Sequence, residues 1–215
     1  EANDKLLPMF SKKLSDKAEQ YLNDFGVKVL KNEKVTNVNH SNVETDKRTI
    51  KSRNIIWAAG NTASSLIEKL NTITDDNGRA IVDPDCSLKD DPDVFVIGDA
   101  SNHKDTSNTP LPGIAPVAMQ QGKYVGKIIK NKILKMDRKP FKFSDKGMMA
   151  TVGKYKAIGK IGNIEVSGFI AWVFWSVIHI VYLIGYRSKL LVIIEWIFSY
   201  LFNKKGTRLI YREEI

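Results

Sequence analysis

Apolar residues recur at three- and four-residue spacing in the stretch Ser11–Gly26, at Leu14, Ala18, Tyr21, Leu22 and Phe25, with charged residues between them. That spacing predicts an amphipathic helix, started by Ser11 or Ser15 as a cap and stopped by Gly26. From Val27 to Gly60 the pattern changes to short β-rich runs broken by polar turns, and the last run, Ile55 to Gly60, reads as a buried strand ending in small residues. Residues 61–92 are polar and turn-rich, with Asp-Asp-Asn-Gly at 75–78 marking a turn or hairpin. A second buried strand, Val94 to Ile97, ends at Gly98 and leads through a loop to a helix over residues 114–134, where Pro116 fits the first turn. Another β-like segment surrounds residues 148–162.

The end of the chain differs in kind. Residues 168–186 contain no Asp, Glu, Lys or Arg, and a second apolar run, 190–202, carries only Glu195. A membrane-crossing helix needs about 20 apolar residues, so the first run is borderline for a span and the second is too short. Aromatic residues crowd both runs, and Arg187, Lys189, Lys204, Lys205 and Arg208 bracket them, a pattern suited to a lipid headgroup zone. A buried helical hairpin and a true span are the competing readings. Ser176 and His179 lie three apart, which predicts a narrow polar seam turned towards the protein.

The 215 residues suffice for one large domain or two small ones. A net charge of +9 admits an anionic partner, either nucleic acid or an anionic membrane surface. Because cations flank the aromatic runs, and neither a zinc-finger nor an RNP-type motif is present, the sequence argues against nucleic acid. Cys86 is the one cysteine, and His40, His103 and His179 are scattered, so an internal disulfide, a CxxC pair and a structural metal are not expected. The first ten residues include acids and no apolar run, so a signal peptide is not expected there.

The sharpest local chemistry is Gly98-Asp99 at a strand end. An acid there can accept hydrogen bonds from a sugar-alcohol chain, and a helix N-terminus about 15 residues later can stabilise negative charge on a reduced flavin ring. Taken alone, a Gly-Asp pair is more often an ordinary turn.

Five stretches in one order make the pattern specific: WAAG at 57–60, VFVIGDAS at 94–101, TPLPGIAPVAMQQGKYVGKII at 109–129, FKFSDKGMMATVGKYKAI at 141–158, and the aromatic tail from Ser167 to Tyr200. Together, over nearly the whole chain, they resemble the C-terminal half of type II NADH dehydrogenases, the NADH:quinone oxidoreductases that do not pump protons. The resemblance implies an α/β fold, part of a flavoprotein with two dinucleotide-binding domains, plus a C-terminal helical membrane-anchoring segment. Residues 1–60 would be the C-terminal part of the NADH-binding Rossmann domain and 61–135 part of the FAD-binding domain. Residues 136–215 would be the membrane-associating and quinone-site region. The GxGxxG loops of that family are not in this sequence, so its resemblance is to a piece lacking both phosphate-binding loops.

Carried over residue by residue, the resemblance puts Gly98 and Asp99 on the FAD ribityl chain and Val117 and Ala118 at the isoalloxazine. Ala59 and Gly60 fall near the nicotinamide side, and Glu1 on the adenosine ribose of NADH. Gln120, Gln121 and Lys146 fall at the quinone pocket. The usual AQxAxQ pattern reads Ala115-Pro116-Val117-Ala118-Met119-Gln120 here, so a role of its first glutamine must pass to a neighbouring group. Met148 and Met149 either line a quinone path or pack in the core.

Electrons would pass from NADH through FAD to a quinone. The protein would sit peripherally on the cytoplasmic face of the cell membrane, and a homodimer is compatible with the family. Two rival readings are a sulfide:quinone oxidoreductase, which needs redox cysteines, and a non-enzymatic membrane-docking module.

Overall fold

The structure is a computed structural model of the chain and describes residues 1–60, 62–183 and 185–202. In chain order the elements are α1 (Lys12–Asp24), β1 (Val35–Val38), β2 (Asn42–Thr45), β3 (Thr49–Lys51), β4 (Ala80–Ile81), β5 (Ser101–Asn102), α2 (Ala115–Lys130), β6 (Met148–Thr151), β7 (Ala157–Ile161), β8 (Ile164–Ser167), α3 (Gly168–Tyr182) and α4 (Tyr186–Phe202). They fall into two compact units, Glu1–Ile55 with Lys146–Ile215, and Ile56–Asp145.

In the first unit, α1 forms as its periodicity predicts. Of the two candidate caps, Ser11 is the one used, accepting the Leu14 N–H at 3.3 Å. Ser15 lies inside the helix, buried, with its hydroxyl donating to the Leu6 carbonyl. The apolar face of α1, Leu14, Ala18 and Tyr21, packs with Phe10, Val152 and Ile158 into one core. Leu14 is 2% exposed, and burying a side chain of that size contributes about 1.5–3 kcal/mol. β1, β2 and β3 form an antiparallel sheet in sequence order, and β6, β7 and β8 form another. Met148 packs against the core of α1, and Met149 lies over Gly159 on the neighbouring strand, so both have packing roles. Gly147, just before β6, has φ +99°, and a Cβ there would stand 2.2 Å from the Lys160 carbonyl oxygen. No other residue fits that approach.

α3 and α4 follow β8. Ala171 and Ser176 are the buried residues of α3. Phe169, Ile170, Phe174 and Val177 of α3, and Leu191 and Phe198 of α4, are exposed. The expected seam of Ser176 and His179 does not form. Ser176 is buried and donates to the Trp172 carbonyl one turn back at 2.8 Å, whereas His179 is exposed and stacks on Trp175 and Trp196. The two indoles also stack, with centroids 5.8 Å apart and planes 12° apart, joining α3 to α4. Lys189 of α4 donates to the Val181 carbonyl in the last turn of α3 at 2.9 Å, a cation meeting free helix-end carbonyls. Glu195 is exposed. Among the described residues no helix is long and apolar enough to cross a membrane. Lys204, Lys205 and Arg208 lie outside the described residues.

The second unit is built on short pairings. β4 and β5 are parallel, and the turn before β4 forms as expected. The Asp75 carboxylate accepts the Asn77 and Arg79 N–H groups and holds the Arg79 side chain at 2.7 Å. Ile67, Ala80, Val82, Leu88 and Val96 form one apolar cluster, and Cys86, Val125 and Phe141 another.

Two expected strands differ. Ile55 to Gly60 carries no regular structure, with Ile56 90% and Trp57 64% exposed, because a buried strand is defined by ladder partners and none of the described strands pairs with it. The segment before Gly98 is extended and Val96 is buried, but its pairing reduces to a bridge between Phe95 and Ser87.

Candidate functional site: the Gly98-Asp99 turn and the start of α2

Gly98, Asp99 and Ala100 form a single 3-10 turn between the Val94–Ile97 segment and β5. Gly98 has φ +65°, and a Cβ on it would sit 3.1 Å from the Ala118 Cβ, so the glycine allows both the turn and the close approach of α2. Ser101 ties the turn off by donating to the Gly98 carbonyl at 2.9 Å. Asp99 is exposed, and its carboxylate accepts no hydrogen bond from another described residue. Gly113 faces it: a Cβ there would lie 3.4 Å from Asp99 Oδ1. The result is a free carboxylate in a small-residue cradle.

α2 begins one residue later than the apolar pattern. Ile114 is the N-cap and gives no side-chain bond; Pro116 sits in the first turn. Val117 is 3% exposed, and its N–H donates to the Ile114 carbonyl at 3.0 Å; the Ala118 N–H reaches the same oxygen at 3.3 Å. Those two N–H groups are therefore engaged within the helix, and Pro116 has none. The first-turn N–H without a described partner is that of Ala115, an exposed residue.

The two adjacent glutamines of α2 part company. Gln120, half-buried, makes a two-way clamp on one backbone unit: its Nε2 donates to the Ser144 carbonyl and its Oε1 accepts the Ser144 N–H, both at 3.0 Å. Gln121 is fully buried and accepts the Gly98 N–H at 2.7 Å. The family resemblance had placed both near one quinone pocket. The signal for their divergence is the i, i+3, i+4 set Ala118, Gln121, Gly122, which puts Gln121 on the face that meets Gly98 and Ile97.

The remaining candidates lie elsewhere. Glu1 is exposed and turns its carboxylate onto Asn3, accepting its N–H at 2.9 Å and its side-chain amide at 2.7 Å. The backbone hydrogen bond from Asn3 is the main cause holding its carboxyl below the usual range. Ala59 and Gly60 are exposed in the irregular segment, and Lys146 is exposed just before the obligatory Gly147.

Cys86 is buried, and desolvation, with the Asp85 charge beside it, pushes its thiol up to about 12. A thiol held protonated is a poor redox cysteine, so Cys86 itself is not suited to sulfide oxidation. Among the described residues no cluster of potential metal ligands occurs.

The sequence reading missed a buried polar network near Cys86. Asp85 is held by Arg138 at 3.2 Å and Lys135 at 2.9 Å, and accepts the Ser87 hydroxyl at 2.8 Å. It pins the segment after α2 to the 83–87 turn.

The pyridine nucleotide-disulphide oxidoreductase family matches residues 1–122, and the NDH2 C-terminal domain matches residues 146–205. The chain is 36% identical over 213 residues to a type II NADH:quinone oxidoreductase, Ndh, of Mycobacterium tuberculosis, covering 94% of this chain and 45% of that protein. A type II NADH:quinone oxidoreductase of Staphylococcus haemolyticus is 34% identical over 178 residues, 78% of this chain and 43% of that protein. The chain thus spans about half the length of the curated relatives it matches. Among solved structures, NDH2 from Plasmodium falciparum in complex with NADH shares the fold, with a TM-score of 0.85 at 17% identity, over 97% of this chain and 58% of that one. The chain belongs to the pyridine nucleotide-disulphide oxidoreductase family, and its last part matches the NDH2 C-terminal domain.

Proposed function

We propose that this chain serves an FAD-dependent transfer of electrons from NADH to a membrane quinone, without proton pumping. The observation that carries the reading is the Asp99 carboxylate, exposed and unpartnered on a turn whose glycines leave space around it. A carboxylate with free lone pairs is the acceptor that a ribityl chain of hydroxyls requires. The residues present fit the flavin in a second way, because the first turn of α2 offers the Ala115 N–H and the positive end of a helix. FAD, when bound, supplies the hydride and electron chemistry.

In this reading Asp99 and Gly98 hold the ribityl chain, and the start of α2 at Ala115, Val117 and Ala118 stabilises negative charge on the reduced ring. Residues 1–60 serve NADH, with Glu1 towards the ribose and Ala59 and Gly60 towards the nicotinamide. Residues 61–135 serve FAD and 136–215 the quinone and membrane. Gln120 and Lys146 are each assigned to the quinone side, and within its own unit Gln120 holds the backbone at Ser144. The exposed apolar side chains of α3 and α4 rest in one leaflet at the cytoplasmic face, which would give Phe169, Ile170, Phe174, Leu191 and Phe198 an apolar surrounding. The relatives named above, whose names give NADH and quinone as substrates, support the assignment.

The test is Asp99→Ala in the protein as its gene encodes it. We expect FAD to be lost on gel filtration, and NADH:quinone activity with it. Unchanged bound-flavin absorbance in the variant would defeat the reading.

A further inference from the structure

Gln121 is the most deeply buried polar side chain of α2, and it directs its one hydrogen bond among the described residues to the turn that carries Asp99. Its Oε1 accepts the Gly98 N–H at 2.7 Å, while its Nε2 is buried with no partner among the described residues. The orientation is dictated by chemistry. With the carboxamide turned over, two N–H donors would face each other, so Oε1 must meet Gly98. A buried amide that leaves one donor unbonded is costly to keep, and a leucine or methionine would fill the same space without that cost. Packing therefore does not explain this residue. What a glutamine supplies here and an apolar residue cannot is an acceptor for Gly98.

The turn has little else to fix it on that side. Gly98 has no side chain and a left-handed φ, and the neighbouring Ala118 offers only a methyl contact. Ser101 secures the carbonyl of Gly98, and Gln121 secures its N–H, so the peptide units on both sides of Gly98 are held. Asp99 is the next residue, and the direction of its carboxylate follows from that backbone.

We propose that Gln121 is a positioning residue of the flavin site: by holding the Gly98 N–H it sets where the Asp99 carboxylate stands, and so governs flavin affinity through Asp99. This rests on the FAD reading above. It assigns Gln121 to the flavin, not to the quinone pocket where the family resemblance had put it.

The test uses the protein as its gene encodes it, made as apoprotein and titrated with FAD. Gln121→Met keeps the volume and removes the acceptor; Gln121→Glu keeps an acceptor. Losing one buried hydrogen bond of this kind corresponds to about tenfold, so Q121M should bind FAD about tenfold more weakly, and Q121E close to the parent. FAD affinity in Q121E should also vary with pH as the introduced carboxyl titrates, which a filler residue would not produce. In the double variant, Q121M should add almost nothing to the loss caused by Asp99→Ala, because both act on one contact. Equal FAD affinity of Q121M and the parent would overturn the proposal, as would full additivity with D99A. If Q121M does not fold, a pH-independent affinity in Q121E would overturn it. A parent protein that takes up no FAD would instead sink the functional reading itself, and is told apart by that control.

Discussion

Replacing Asp85 by asparagine should loosen the second unit in a way that depends on pH. Asp85 has a side chain 7% exposed, between Arg138, itself 6% exposed, and Lys135, 42% exposed. Desolvation is the largest influence on its carboxyl and pushes it up. Hydrogen bonds from Lys135, Ser87 and Arg138 outweigh it and bring the value from 3.8 to about 2. A folded value below the unfolded one means stability that is fully present above about pH 4 and is lost as pH falls towards 2. That difference corresponds to about 2 kcal/mol. At neutral pH the substitution does more than remove this contribution, since it leaves Arg138 buried without its close carboxylate. Asp93 is 3.7 Å away but 91% exposed, and Lys135 can return to water. Breaking a buried pair costs about 3–5 kcal/mol, and the half-exposed lysine puts this case near the lower figure, about 3 kcal/mol. Hydrogen exchange at Leu88 and Val96, whose amides bond Val94 and Cys86 across the adjoining hairpin, reads the opening of this region. Their protection at pH 6 should drop about a hundredfold in D85N, and the parent's loss of protection between pH 4 and 2 should largely vanish in the variant. Protection unchanged at pH 6, or the same acid dependence in both proteins, would refute the network as the source.

Gly98→Ala should weaken FAD binding and cost about 1–2 kcal/mol of stability, through the left-handed φ and the approach of Ala118, measured by flavin titration and thermal melting. Cys86 should resist a thiol reagent at pH 8 in the native protein and react only on unfolding, as labelling followed by mass spectrometry would show. Ile170→Glu with Phe174→Glu should release the protein from sedimenting lipid vesicles, because both side chains are exposed on α3. Gln120→Ala and Lys146→Ala should slow reoxidation of reduced flavin by quinone more than its reduction by NADH, in stopped-flow traces of the two half-reactions.

Local elements were largely legible in the sequence. The cap, periodicity and stop of α1, the Asp75–Arg79 turn, the proline-started α2 and the β6–β8 segment all rest on interactions within a few residues. Ile55 to Gly60 was not, because its strand character belongs to neighbours and not to its own side chains. The Gly98-Asp99 pair was legible as a tight turn, since a glycine at that place carries its own geometry. The hydrogen-bond partners of Gln120 and Gln121 were not. Adjacent on a helix, they point about 100° apart, and which backbone each meets is decided by Ser144 and Gly98, each more than 20 residues away in sequence. Asp85 was hidden for the same reason, its cations coming from 50 residues downstream.

The stacked rings of Trp175, His179 and Trp196 also give the helical hairpin an optical signature. An imidazole lying on two indoles quenches their fluorescence, and more strongly when it carries a proton. The emission of these two tryptophans should therefore stay dim while α3 and α4 remain paired and brighten when they part. Arrival at a bilayer, detergent extraction and unfolding of the tail could then be followed in the untagged protein, from light that it emits itself.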